Sequence, residues 1–264
     1  MKRINVILKY ILGLLLTISI FFDFILIFSK TTVLNKNYIF SSMDKINYYE
    51  NTYNTIKDNL IWSNMSSGFD DDILDNIFTI DDVKKDINTT IDCLYNNKKI
   101  TINVDDIKTN LTNNINDYIT INKIKVLDKK AVEEHVDELV SVYNKEITYY
   151  SYFNSHISII SKINKYANIA LIIALLVTII LILIIKFVIK ENIISAVFIS
   201  VGLFMIFLYL HTIVNIEFDT ITIISTNFSI LLRKIAKELL TIYNVFSYIF
   251  VGFGLFLGVF KRIK

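Results

Sequence analysis

Four stretches of the chain are almost unbroken runs of apolar residues, at about 5–29, 166–188, 193–215 and 241–260. Each supplies the roughly 20 residues that an α-helix needs to cross about 30 Å of hydrocarbon, so the pattern predicts four spanning helices. The second is the cleanest: Ile169 to Ile185 carries no charge and no helix breaker. Between the first and second runs the pattern changes from continuous to periodic. Ile46, Tyr49, Tyr53, Ile56 and Leu60 recur at intervals of three and four and trace one helical face, with Ser41 and Ser42 as candidate caps before it and Ser66-Ser67-Gly68 as a break after it.

The same periodicity continues through the segment. Asp70 to Asp72 can cap a short helix bearing Ile73, Leu74, Ile77 and Phe78, and Thr79 to Asp82 opens another bearing Val83, Ile87, Ile91, Leu94 and Tyr95, ended by Asn96-Asn97. Asp105 can cap a helix with Ile107, Leu111, Ile115 and Tyr118. A further helix carries Val132, Val136, Leu139, Val140, Tyr143, Ile147 and Tyr150. With no proline after it, this last helix could run unbroken from about 129 to 188, with Asn154-Ser155-His156 as the place for a kink. Two pieces, Lys99 to Val104 and 119–127, alternate apolar and polar residues and read as short extended strands that could pair.

Composition sharpens this picture. The chain has 264 residues, 53% of them hydrophobic, and a mean hydropathy of +0.50, which excludes disorder. The fold class expected is an all-α membrane protein of four transmembrane helices with a helical extracytoplasmic domain between the first and second. Residues 1–30 form an uncleaved anchor, because no alanine precedes Ala131 to make a small-residue cleavage site. Residues 31–163 form the domain, and 164–264 a three-helix region with an outer hairpin at about 216–240. In that hairpin Phe228, Leu231, Leu232, Ile235, Leu239 and Leu240 alternate with Arg233, Lys234, Lys237 and Glu238, either as a surface-lying amphipathic helix or as an extension of the fourth span.

Charge sets the orientation. Lys2, Arg3 and Lys9, then Lys186 and Lys190, then Lys261, Arg262 and Lys264 flank the spans on one side, which places both termini in the cytoplasm of a plasma membrane, a bacterial one being the preferred setting. The segment 31–163 carries 14 lysines, no arginine and 20 acidic residues, and this acidic balance argues against nucleic acid or anionic headgroups as its partner. The short cytoplasmic pieces leave no room for a cytoplasmic enzyme domain.

Candidate chemistry is sparse. Asp23 is the one acidic residue inside a confident span, on the order of 9 Å below its outer end. His211 lies at a similar estimated depth in the third span, and Asn244, Ser247 and Tyr248 enter the outer half of the fourth. Together they could form an intramembrane polar site that responds to protons or ions; alternatively Asp23 snorkels to the interface and the rest tie helices together. Gly254 and Gly258 form a GxxxG pair suited either to oligomerisation or to packing against another span. Glu134, His135 and Glu138 have helical metal-ligand spacing but no second histidine, so a solvated helix face is expected. The Asp70–Asp72 run with Asp75 lacks the ligand spacing of a calcium loop. With the single cysteine Cys93 and no nucleotide, nucleophile or zinc-protease motif, no metal, no cofactor and no catalytic set is expected. Asn64, Asn88, Asn110 and Asn227 match the glycosylation acceptor pattern in an asparagine-rich chain, where such matches are frequent.

In layout, with an anchor followed by Leu34-Asn35-Lys36-Asn37-Tyr38-Ile39, an acidic helical segment and three closing spans, the chain resembles uncharacterised four-span envelope proteins of low-GC bacteria. The resemblance implies an envelope protein and transfers no activity. The function expected is non-enzymatic binding or sensing of an envelope or membrane protein partner or ligand by the external helices, with the lipid bilayer as the other partner and a homo-oligomer left open. The alternative is a small transporter, channel or accessory subunit using the region of Asp23.

Overall fold

The computed structural model describes residues 2–124, 129–148, 154–189, 193–222 and 225–263. They form nine α-helices and no strand: α1 Lys2–Thr31, α2 Lys36–Lys45, α3 Tyr48–Asn64, α4 Ile80–Asn96, α5 Asp105–Ile121, α6 Lys129–Ile147, α7 Asn154–Ile184, α8 Ile194–Asn215 and α9 Thr226–Ile263. A wider π-type turn, Ile185–Ile189, closes α7, and short 3-10 turns lie at Asp71–Leu74 and Phe218–Thr220. The helices Val6–Thr31, Ser161–Phe187, Ile194–Asn215 and Thr226–Val259 are long and apolar enough to cross a membrane, so the chain has the make-up of a multi-pass helical membrane protein.

The chain divides into two compact units, one of Met1–Tyr38 with Ile163–Lys264 and one of Ile39–Lys162. In the first, α1 runs parallel to α8, with Gly13 beside Ile193 and the Phe21 and Phe204 rings 5.0 Å apart. It runs antiparallel to α7, since Ser19 meets Thr178 and Lys30 meets Asn168. α8 and α9 are antiparallel and touch along most of their shared length, with Gly202 against Val251 and Gly254 against Ser195. The start of α1, the end of α7, the start of α8 and the end of α9 therefore lie at one end of this bundle, where Leu12, Leu16, Ile185, Ile193 and Val197 form an apolar cluster. The basic flanks fall at that same end in sequence. α9 is one helix of 38 residues, so the amphipathic stretch of the hairpin extends the fourth apolar helix and is not a separate element. Its cations serve the preceding loop: Arg233 Nε donates to the Ile221 carbonyl at 2.7 Å, and Lys237 pairs with Asp219 at 2.8 Å.

The second unit has a conventional interior. Met43, Ile56, Leu60, Ile87, Leu111, Leu139, Tyr143 and Ile147 are buried, and α6 packs on α3, α4 and α5. The rings of Tyr53, Phe78 and Tyr143 meet at 5.2 and 5.1 Å, joining α3 and α6 through Phe78, which lies just before the Thr79 cap of α4. Local chemistry sets the ends of α4. Thr79 and Asp82 form a reciprocal capping box, and Asn97 takes the left-handed conformation (φ 53°) that closes the helix.

Several expectations are corrected here. Ser41 and Ser42 do not cap a helix: both lie inside α2, Ser42 fully buried, and the break comes at Asn47, whose left-handed backbone (φ 52°) separates α2 from α3. Lys99 to Val104 contains no strand, and Ile119 to Ile121 complete α5, so the two alternating pieces do not pair among the described residues. Asp105 is the first residue of α5 and Val104 occupies the cap position; the Asn103 side chain accepts from the Asp105 amide at 3.0 Å. α6 ends at Ile147 and α7 begins at Asn154, and the stretch that would join them into the expected continuous helix, residues 149–153, lies outside the described residues, as do 125–128.

Candidate functional site

Asp23 sits on α1 one helical turn after Ser19, so the two side chains share a face. That face meets Thr178, the one hydroxyl in the Ile169–Ile185 run of α7. Thr178 Oγ1 donates to Asp23 Oδ2 at 2.6 Å, and the Ser19 and Thr178 hydroxyls are also 2.6 Å apart. Asp23 is only 7% exposed, and its Oδ1 is buried with no hydrogen-bond partner. In hydrocarbon a polar side chain gains most by bonding across to another helix, which explains the hydroxyl chain. A carboxyl group with one oxygen unsatisfied in apolar surroundings is costly, which makes Asp23 a candidate functional site.

The structure does not bring His211 to this carboxyl group. His211 is exposed; Asn215 Nδ2 lies 3.1 Å from its Nδ1 and donates to its carbonyl at 2.7 Å, while its ring stacks on Phe207. Equal estimated depth put the two residues together in the sequence reading, but rotation about each helix axis places them on different contacts. Asn244 does turn inward: its Oδ1 is buried without a hydrogen-bond partner, and its carbonyl accepts from Ser247 Oγ at 2.6 Å. Tyr248 is 59% exposed, and the interior tyrosine is Tyr243, whose hydroxyl is buried without a partner and whose ring lies 5.9 Å from Phe24. Ser19, Thr178 and Tyr243 were therefore missed. The pairing of Ser19 with Asp23 at a four-residue interval was the available signal; for Tyr243 against Tyr248 there was none, because five residues turn a helix through about 140° and either face could have been the inner one.

Gly254 and Gly258 pack within the chain. A Cβ on Gly254 would meet the Ile199 amide nitrogen at 2.8 Å and the Ser195 carbonyl at 2.9 Å, and one on Gly258 would meet Ser195 Oγ at 2.9 Å. Gly202 of α8 reciprocates against the Ser247 carbonyl at 2.7 Å. Ser195 Oγ donates to the Gly254 carbonyl at 2.7 Å, which locks the close approach that the glycines permit.

In the unit Ile39–Lys162, an open cleft of about 570 Å³ lies between the 3-10 turn and α5, with Asp70, Asp72, Asp75 and Asp117 among its lining residues. Asn114 Nδ2 holds its wall by donating to the carbonyls of Ile73 and Asp75, both at 2.9 Å, and Tyr118 donates to Asp70 at 3.1 Å. The acidic run does not cap with its side chains; Asp71 instead accepts from the buried Asn64 at 3.1 Å. Asn64 also donates to the Phe69 carbonyl and accepts from Ser67, and its Oδ1 lies 3.2 Å from His135 Nε2. Asn64 is thus the organiser of this loop and is too buried for glycosylation in the folded chain. His135 is likewise not part of a solvated face: its side chain is 12% exposed, stacked near Phe69, and burial holds its imidazole below the ordinary value. Glu134 and Glu138 do face solvent, and Glu134 pairs with Lys130. Among the described residues no group of three His, Cys, Asp or Glu side chains is placed to hold a metal ion.

Comparison of the chain with family models, with curated proteins and with solved structures finds no match.

Proposed function

We propose that this is a non-enzymatic integral membrane protein whose helical unit, on the outer side of a plasma membrane, binds or senses an envelope partner or ligand. The observation that carries this reading is the separateness of Ile39–Lys162: its large apolar residues build a core of their own, and its polar network is used to shape a loop and an open cleft. The polar clusters described above hold helices and loops together, which is the behaviour of a recognition scaffold. The gathering of the starts of α1 and α8 with the ends of α7 and α9 at one end of the bundle supports cytoplasmic termini, since the basic flanks then share one side.

Two measurements test it. In a Cys93-free background, an impermeant reagent applied to intact cells should label a cysteine at position 130 and leave one at 264 unlabelled until lysis; the reverse pattern rejects the orientation. A photo-crosslinking residue at Asp117 in the cleft should then give a discrete adduct in native membranes that one at Lys85 does not. Equal or absent adducts at the two positions would reject the cleft as the recognition surface.

A second reading rests on Asp23. Its buried, unsatisfied Oδ1 favours a transporter, channel or accessory role in which the hydroxyl chain Ser19–Thr178–Asp23 handles a proton or ion. Asp23→Asn should then abolish a flux in reconstituted vesicles and leave the Asp117 adduct unchanged. Unchanged flux would confine Asp23 to helix packing.

A further inference from the structure

The loop that follows α3 forms one wall of the acidic cleft, and its two halves are held by different asparagines. Asn114 of α5 holds the later half through the carbonyls of Ile73 and Asp75. The earlier half hangs on Asn64, whose Nδ2 faces three acceptors: the Phe69 carbonyl at 3.1 Å, the Asp70 carbonyl at 3.4 Å and Asp71 Oδ1 at 3.1 Å. Those acceptors fix the orientation of the amide, so Oδ1 is the atom that takes the Ser67 hydroxyl at 2.8 Å and lies 3.2 Å from His135 Nε2. The same contact assigns the tautomer of the ring. Nε2 carries the hydrogen, and in the neutral imidazole Nδ1 is bare.

The charged group that acts on this ring is Glu138, whose Oε2 lies 3.9 Å from Nδ1. A bare ring nitrogen and a carboxylate oxygen are both acceptors and form no bond. A proton on Nδ1 makes them donor and acceptor, and a charge-assisted bond closes the pair to about 2.8 Å. Ser63 Oγ of α3 donates to the other Glu138 oxygen at 3.0 Å and holds the carboxylate where it is, so the ring makes the move and Nε2 is drawn off Asn64. The shift also carries charge from a side chain 12% exposed toward one 63% exposed. The remaining neighbours leave this balance intact. From α3, Asn64 and Ser63 are uncharged; from the loop, Asp71 is turned to Asn64 and Asp70 to Tyr118 of α5; on α6 itself, Glu134 pairs with Lys130.

We propose that His135 is a proton-operated latch on the cleft. Neutral, it pins Asn64 and with it residues 69–71; charged, it swings to Glu138 and lets that stretch go, while residues 73–75 stay on Asn114. This rests on the reading of the cleft as the recognition surface and adds its regulation: the partner is held near neutrality and released on acidification. Burial holds the imidazole below its ordinary value, which keeps the latch closed at neutral pH.

The test uses the full-length Cys93→Ser protein in detergent, spin-labelled across the cleft at Asp70→Cys and Asp117→Cys. The first substitution also removes the Tyr118 bond, so that Asn64 alone holds the stretch. Between about pH 7.5 and about pH 5, which bracket the ordinary histidine value, the distance distribution should pass from narrow to broad. A second pair, Asp75→Cys with Asp117→Cys, should not respond. His135→Gln, whose amide still donates to Asn64 but takes up no proton, should stay narrow throughout, and Asn64→Ala should be broad throughout. Glu138→Gln should move the midpoint to lower pH, because the Glu138 charge favours the imidazolium. The latch is overturned by an unchanging distance in the parent protein, by a change that survives His135→Gln, or by equal broadening of both pairs. The Asp117 photo-adduct separates the two readings: an adduct without a distance change keeps the recognition surface and overturns the latch, and a distance change without an adduct supports the latch and rejects the recognition surface.

Discussion

The two units solve the burial problem with opposite materials. In Ile39–Lys162 the large aliphatic and aromatic residues go inside, and helix contacts are made by Ile56, Leu60, Leu139 and Tyr143. In the bundle of α1, α7, α8 and α9 most large apolar side chains face outward, Ile172, Phe207, Tyr248 and Phe256 among them, and the closest contacts are made by Gly202, Gly254, Ser195 and Thr178. Burial in water rewards the removal of apolar area, about 25 cal/mol for each Å². In lipid that reward is absent, and close backbone approach and hydrogen bonds across helices take its place. Large side chains therefore hold one unit together and small ones the other.

The contrast is most sharply tested at Gly202. Gly202→Leu would drive carbon into the Ser247 carbonyl and the Val251 amide of the facing helix, which cannot rotate away, so a loss above about 3 kcal/mol is expected. It should show as a collapse in monodisperse, detergent-folded protein. Gly252→Leu, with nothing near its added side chain, should leave the yield unchanged and serves as the matched control. Equal behaviour of the two variants would break the account of α8 and α9.

Next in size is a cavity in the other unit. Residues 39–162 produced alone should give a helical circular dichroism spectrum and unfold cooperatively, unaffected by chelator or reductant. Leu139→Ala should cost about 2–5 kcal/mol in denaturant midpoint analysis. A non-cooperative parent would show that this unit depends on the rest of the chain.

A smaller effect is expected from Tyr143→Phe, which removes the 2.8 Å bond to Asp86. The carboxylate is half exposed, so about 1 kcal/mol is the expected loss.

The smallest effect is a pair of opposed pH responses. Burial raises the carboxyl groups of Asp86 and Glu146 above the ordinary range, so their contribution to stability is full below that range and declines as pH rises through their folded values. His135 is lowered by burial, so its contribution is full above about 6.5 and declines as pH falls through its folded value. Acidification therefore draws opposed responses from this unit, a loss from His135 and a gain from the two carboxyl groups. His135→Gln should remove the loss and Asp86→Asn should shrink the gain; a pH profile of stability that neither substitution changes would contradict both assignments.

Much of this was legible where a short stretch of sequence decides the outcome. The apolar runs gave the four long helices, and Thr79 with Asp82 gave the start of α4, because a capping box is closed by residues three apart. Alternation at Lys99–Val104 misled, because a strand exists only if a partner strand lies beside it, and none is supplied among the described residues. Ser41 and Ser42 looked like caps because their chemistry suits that role, whereas the backbone reversal was made by Asn47. In the bundle the depth of Asp23 could be counted along the helix, but the direction in which it points could not. Its partner was therefore sought at His211 and found at Thr178.

The bond from Thr178 to Asp23 has a consequence for how the bundle is assembled. The α7 stretch from Ile169 to Ile185 is apolar around its whole circumference, so insertion into the bilayer leaves it free to spin about its long axis with little change in energy. One hydroxyl and one carboxyl group break that degeneracy, and Lys30 with Asn168 repeats the choice further along α1 and α7. With Thr178→Val the helix should still insert to full depth and lose its azimuth, so that disulfide trapping between cysteines on α1 and α7 spreads over several registers instead of one.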